Sequence, residues 1–286
     1  TPIRRQRQMC IRDSCMPQAM RPIGIFDSGI GGLTVARAIS QRFPNHPLIY
    51  FGDTAHLPYG EKSPELIRRY AKRITKELVN MDCAVIVVAC NSASSNALDE
   101  VKTAAGHSVP VIDVIHPVVE SVSRQFKGDA VGVIGTRATI DSGWYQRLLE
   151  ERGCLVKAKV TPLLASAIEE GFHEGKVSSA LIEAYLTDDF LEGIKALVLG
   201  CTHYPLISEQ ILRVLPEGVE IVDSAEAVAD VLNRLDLVVI SGSPDIDAVE
   251  RPHRRFIVSD FTQSFQRGAE RFFGAHVTLE ERKLSE

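Results

Sequence analysis

From Pro22 onward this chain repeats one pattern: a strand-length run of almost wholly apolar residues, then a longer stretch of helical character. The runs are Ile23–Phe26, Leu48–Phe51, Ala84–Ala89, Val109–Val114, Ala130–Ile134, Ala196–Leu199 and Val219–Val222. A later one, Phe256–Val258, follows the polar stretch 241–255. A strand with one wet face alternates apolar and polar residues, whereas a strand covered on both faces does not. Strands of the second kind, alternating with helices, specify an α/β architecture built on parallel sheets. Ser63 to Asn80 illustrates the helical partner. Ser63 can cap, Pro64 fits the first turn, and Ile67, Ala71, Ile74 and Leu78 fall on one face. The opposite face carries Arg68, Arg69, Lys72, Arg73 and Lys76 and reads as a solvated surface rather than a phosphate patch.

A chain of 286 residues has room for two such units. A faint internal duplication supports two. IGIFDSG at Ile23 matches VGVIGTR at Val131, which aligns Gly24 with Gly132 and Ser28 with Thr136. VIVVACNS (Val85–Ser92) matches ALVLGCTH (Ala196–His203), which aligns Cys90 with Cys201. The offsets, 108 and 111, are similar and fall in the same order.

Composition narrows the function classes. A net charge of −5 argues against a basic nucleic-acid binder, and no apolar run is long enough to span a membrane. Residues 1–19 lack periodicity and the apolar core of a secretory signal. They read as an unstructured, non-native tail, with Met16 or Met20 as the natural first residue. That segment holds two of the six cysteines. The remaining four are too sparse for a disulfide framework, which suits a reducing, cytoplasmic setting.

Ligands of parallel α/β sheets bind at the carboxyl ends of strands, and four motifs occupy such ends. Ile25-Phe26-Asp27-Ser28-Gly29-Ile30-Gly31-Gly32 is a strand running into a glycine-rich turn and a helix. Its glycines permit close backbone approach, and the helix start offers N–H groups to a carboxylate or a phosphate. The spacing matches neither the dinucleotide fingerprint nor a phosphate loop. Gly52-Asp53 through Leu57-Pro58-Tyr59-Gly60 is rich in turn formers and, alone, reads as a loop that can lend a hydroxyl and an N–H. Cys90-Asn91-Ser92 ends a strand where a helix begins, a position that stabilises a thiolate. Cys201-Thr202-His203-Tyr204-Pro205 repeats that context, with a histidine close to the thiol. A lone buried cysteine is usually inert, but two at matching points of a duplicated unit are not so easily dismissed. Zinc is disfavoured because no C-x2-C or H-x3-H pair is present. Cys83, Cys154 and the His116-Pro117 connector stand outside the repeated context.

Two strand ends facing one cleft would place Cys90 and Cys201 on opposite sides of a small molecule. One thiolate can then remove a proton from carbon while the other thiol delivers one to the opposite face, with roles exchanged in reverse. The polar helix starts can hold carboxylates, and Asp27 and His203 can each tune one thiol.

Taken together, DSGIGGLTV at 27–35, PYG at 58–60, ACNS at 89–92, GT at 135–136 and GCTHYP at 200–205 closely resemble the motifs of the glutamate racemase family, part of the aspartate/glutamate racemase superfamily. The resemblance runs from about Pro22 to Asp223, weakens over 224–286 and is absent from 1–19. It implies an isomerase that interconverts L- and D-glutamate without pyridoxal phosphate, another cofactor or a metal, and that supplies D-glutamate for peptidoglycan. The catalytic thiols then fall on Cys90 and Cys201. Asp27, His203 and Glu169 support them, Glu170 being the neighbour of Glu169 in IEEG. Substrate contacts fall on Asp27, Ser28, Pro58, Tyr59, Gly60, Asn91, Ser92, Thr136, Thr202 and His203. The family usually reads Cys-Asn-Thr where this chain has Cys-Asn-Ser, so Ser92 keeps the hydroxyl and loses a methyl.

The resemblance also implies two pseudo-symmetric three-layer α/β domains with the active site between them. Residues 20–113 plus 223–275 form the first, 114–222 the second, and 276–286 a C-terminal tail. A homodimer and a cell-wall-precursor activator are its implied partners, with no nucleic acid and no membrane. Competing readings are an aspartate or other amino-acid racemase of the superfamily, a cysteine hydrolase using Cys201 and His203, and a binding protein without turnover.

Overall fold

The computed structural model describes residues 20–235 and 254–284. The segment 1–19 and residues 241–253 of the polar stretch lie outside the described residues.

The described residues form two sheets in which every strand pair is parallel. The strands are β1 (Ile23–Asp27), β2 (Leu48–Gly52), β3 (Val85–Val88), β4 (Val111–Asp113), β5 (Ala130–Gly135), β6 (Leu155–Val160), β7 (Ile194–Gly200), β8 (Glu220–Val222), β9 (Arg254–Val258) and β10 (Leu279–Glu281). The first sheet runs β10-β9-β2-β1-β3-β4 and the second β6-β5-β7-β8. The order β2-β1-β3-β4 is therefore repeated, strand for strand, by β6-β5-β7-β8. This is the structural counterpart of the matched sequence pairs: Gly24 and Gly132 lie in β1 and β5, and Cys90 and Cys201 follow β3 and β7.

The chain completes β1 to β4, builds the second sheet, then returns to the first with β9 and β10. The reading of 276–286 as a tail is corrected by that return. Leu279, Glu280 and Glu281 pair with Phe256, Ile257 and Val258. The segment is short, and only Leu279 of its three residues is buried, so it carries no apolar run to betray it. β6 was likewise absent from the apolar runs, because Lys157 and Lys159 interrupt it at the edge of its sheet.

The central strands are buried on both faces. On one face of the first sheet, Phe26, Phe51, Ile86 and Val88 pack with Ile67, Ile74 and Ala97 of the helices Pro64–Asn80 and Asn91–Ala105. On the other face, Ile25, Tyr50 and Val87 join the helix Leu33–Arg42 in a core that continues to Val133 and Leu199 of the second sheet. Ser63 caps the helix Pro64–Asn80 by accepting from the Leu66 N–H at 3.4 Å, and the expected apolar face is the buried one. Its basic face is exposed except at Arg73, which is half-buried and donates to the Leu284 carbonyl. No described helix is long and apolar enough to cross a membrane.

Candidate active site

β1, β3, β5 and β7 are interior strands of the two sheets, and their carboxyl ends carry the site. Each delivers one motif: Asp27-Ser28, Cys90-Asn91-Ser92, Thr136, and Cys201-Thr202-His203. Together with the turn Tyr59–Glu61 and the helix Pro162–Glu169 they enclose a cleft. Its lining contains Ser28, Pro58, Tyr59, Gly60, Cys90, Asn91, Ser92, Thr136, Glu169, Cys201, Thr202 and His203. Ala165 and Gly200 also line it, and nothing in their sequence context marked them.

Asp27 is the exception among the selected residues. It is fully buried and stands behind the residues that line the cleft. Its Oδ2 accepts N–H bonds from Gly29 at 3.2 Å and Gly32 at 2.9 Å, tying the glycine turn to the strand end. Its Oδ1 is buried without a partner. The turn glycines also serve a purpose other than ligand approach. A Cβ on Gly31 would lie 2.3 Å from the His203 Cε1 and 2.7 Å from the Thr202 Oγ1. The glycine makes room for the opposite strand end.

The two thiols sit in different surroundings. Cys90 is the residue before the helix Asn91–Ala105 and is 4% exposed. The sequence position predicts a stabilised thiolate. Instead, burial first and then the Asp27 carboxylate push the thiol well up. The Ala93 N–H and the hydroxyl and N–H of Ser28 favour the thiolate without reversing that direction. The helix start is legible in sequence, but the carboxylate packed beside it is not.

Cys201 precedes a turn and the short 3-10 segment Tyr204–Ile207, so its helix context is not a copy of that at Cys90. Its Sγ lies 3.5 Å from the His203 Nδ1. The His203 Nε2 is 2.8 Å from the Glu169 Oε1, and the ring meets Phe272 edge to face with centroids 5.0 Å apart. Burial alone would lower the His203 pKa. The charges and hydrogen bonds of Cys201 and Glu169 outweigh it, and the imidazole is raised well above its usual 6.5. A proton held more tightly in the folded state contributes stability that is fully present below the unfolded value of about 6.5 and is lost as pH rises through the higher folded value. Glu169→Gln removes the carboxylate partner, so His203 is expected to lose its proton at lower pH than in the unmodified protein. An NMR titration of the ring measures this, and an unmoved titration would remove Glu169 from the account.

The polar walls are held by hydrogen bonds that sequence reading did not reach. The Ser92 Oγ lies 2.9 Å from the Thr136 Oγ1 and 3.3 Å from the Thr139 Oγ1. The Tyr145 hydroxyl donates to the Asn91 Oδ1 at 2.8 Å. Tyr59 donates to Asp53 Oδ2 at 2.5 Å, and Asp53 Oδ1 also accepts from Ser259 at 2.8 Å. Thr139 is hinted at by its place three residues after the capping Thr136, whereas Tyr145, 54 residues from Asn91, gives no local signal. Among the described residues, no three His, Cys, Asp or Glu side chains are grouped to hold a metal. His116 instead pairs with Asp113 at 2.7 Å, and Asp113 also accepts the Ile115 and His116 N–H groups at the start of the following helix.

Two parallel α/β sheets with paired thiols at equivalent strand ends define a class, and comparison with known proteins agrees. The family model for Asp/Glu/Hydantoin racemase matches residues 33–232. The chain belongs to this family of amino-acid racemases. Within it the full-length likeness is to glutamate racemases. The one from Aquifex aeolicus is 44% identical over 225 residues, covering 79% of this chain and 86% of its own. The crystal structure of the Francisella tularensis glutamate racemase in complex with D-glutamate superposes with a TM-score of 0.84 at 36% identity, covering 92% of this chain and 98% of that one. The Escherichia coli glutamate racemase, in complex with L-glutamate and the activator UDP-MurNAc-Ala, gives a TM-score of 0.74 at 28% identity and covers 93% of this chain and all of its own.

Proposed function

We propose that this chain interconverts L- and D-glutamate by two-base proton transfer between Cys90 and Cys201. The observation that carries the reading is the pair of buried thiols after β3 and β7 lining one cleft, each with its own supporting group. One cysteine, as thiolate, takes the α-proton, and the electron pair of the broken C–H bond moves into the substrate carboxylate. The other cysteine, as thiol, returns a proton to the opposite face and is left as thiolate. Asp27 acts through Cys90, and His203 with Glu169 acts through Cys201. Asn91, Ser92, Thr136, Thr202 and the Tyr59–Gly60 turn hold the substrate's ammonium and carboxylates. A buried site strengthens each of these contacts relative to water.

Two domains complete the picture. The first comprises residues 20–113 with the returning chain from 223, its end moved from 275 to include β10, and the second comprises 114–222. The product D-glutamate would enter peptidoglycan synthesis in the cytoplasm. On the partner side the reading includes a homodimer, tested by sedimentation velocity. It also includes activation by a cell-wall precursor such as the one bound to the Escherichia coli relative, tested by turnover with and without that compound.

The decisive experiment supplies each glutamate enantiomer separately in deuterated water. Early product is expected to carry deuterium at the α-carbon while recovered substrate keeps its proton, because two different groups serve the two faces. Absence of inversion with either enantiomer ends the proposal. Inversion of aspartate in preference to glutamate moves it to the neighbouring substrate, and an acyl adduct on Cys201 by mass spectrometry moves it to the hydrolase reading.

A further inference from the structure

We infer that Tyr145 is a positioning residue for the reaction: it fixes the Asn91 amide so that its NH2 group faces the cleft as a donor to a substrate carboxylate. The inference rests on the racemase reading above and concerns a residue outside the cleft lining.

Three observations converge on it. Asn91 is 3% exposed, lines the cleft, and its Nδ2 is buried without a hydrogen-bond partner. A buried donor left unpaired is costly, and its persistence beside a cleft points to a ligand that completes it. The Oδ1 of the same amide is already engaged, accepting from the Tyr145 hydroxyl at 2.8 Å. The two ends of a carboxamide are nearly the same shape, so packing alone does not choose between a donor and an acceptor facing the cleft. The tyrosine hydroxyl does. Burial, reinforced by the Asp113 and Cys201 charges, raises its pKa, so the phenol stays protonated and able to donate.

The third observation is where the ring lies. Tyr145 is fully buried, and a Cβ on Gly200 would stand 3.5 Å from its Cε2. Gly200 is the last residue of β7, directly before Cys201. One side chain of the second half thus rests against the strand end that carries Cys201 while holding the residue that follows Cys90. Its hydroxyl sets the chemistry of Asn91, and its ring sets a spacing between the two thiol-bearing loops.

Tyr145→Phe keeps the ring and removes the hydroxyl. The expected result is a fall in kcat/KM of roughly tenfold to a hundredfold, carried mainly in KM because the lost contact serves ground state and transition state alike. A buried hydrogen bond with a merely structural role would not couple to substrate. A double-mutant cycle tests this: in the Asn91→Ala background, Tyr145→Phe is expected to change kcat/KM by less than about threefold. The unmodified protein gives a second readout that needs no variant of Tyr145. The Asn91 side-chain amide resonances, assigned by their loss in Asn91→Ala, are expected to shift when D-glutamate is added. Multiplying factors in the cycle, a normal KM in Tyr145→Phe, or amide resonances that ignore D-glutamate would each overturn the inference. Failure of the unmodified protein to invert glutamate would instead strike the racemase reading itself.

Discussion

Alanine at Cys90 or at Cys201 is expected to remove racemisation in both directions, with each loss on the order of 10²–10⁴-fold or more, the usual contribution of a positioned acid or base. Inversion needs a group on each face of the α-carbon, so neither direction survives with one thiol. The losses are also expected not to multiply, since the double variant lacks nothing that either single variant could still use. The more diagnostic result concerns exchange without inversion. With Cys90 gone, Cys201 can still remove and return the proton on its own face, which would exchange the α-proton of one glutamate enantiomer with deuterated water. The Cys201→Ala variant would exchange the other enantiomer. Either variant racemising within tenfold of the unmodified protein would end the two-thiol account.

Gly31→Ala is expected to impair the site almost as severely from a position that touches no substrate. The new methyl would need the space of the His203 ring and the Thr202 hydroxyl. Neither neighbour can swing aside cheaply. His203 is 5% exposed, held by Glu169 at 2.8 Å and packed edge-on by Phe272. Overfilling a packed region costs about 1–3 kcal/mol, and here relief comes by moving the loop that carries Cys201. The expected outcome is a lowered midpoint of thermal unfolding together with a loss of kcat of about a hundredfold, the scale associated with misplacing a catalytic group by an ångström. Normal turnover in a Gly31→Ala protein would show that the loop at 201–203 moves freely, against the geometry described.

How much of this was legible in the sequence depended on burial. β1, β2, β3, β5 and β7 are apolar through their buried interiors, with Asp27 ending β1 and the exposed Lys195 near the start of β7, and such runs stand out unaided. β6 and β10 are edge strands, where half-exposure admits Lys157, Lys159, Glu280 and Glu281, and the apolar signal disappears. The cleft residues at the strand ends were legible for a related reason, whereas Glu169 was reached only through the family resemblance. Cysteine, asparagine and threonine at the ends of buried strands are conspicuous against their surroundings, and the repeated context doubles the signal. What the sequence withheld was any quantity set by a distant neighbour. The helix start at Asn91 could be read, yet the direction of the Cys90 pKa follows from burial beside Asp27, 63 positions away. The glycines of the first turn could be seen, but the reason for Gly31 lies at His203. Tyr145 had no motif at all, since its role exists only once two strand ends from different sheets are brought together.

The route of the chain between the sheets also imposes a timetable on synthesis. β2 finds its outer neighbour only when Leu48 meets Arg254, roughly two hundred residues later. At about 5–20 residues per second, that edge waits on the order of 10–40 s on the ribosome. β5 to β8 are all made within that interval. The second sheet can therefore assemble while the first is still a four-strand fragment with an open, apolar flank. Such a flank is a template for pairing with other chains. Until β9 is made, the outer edge of β2 stays open to such pairing, so the addition of β9 also serves to protect the sheet.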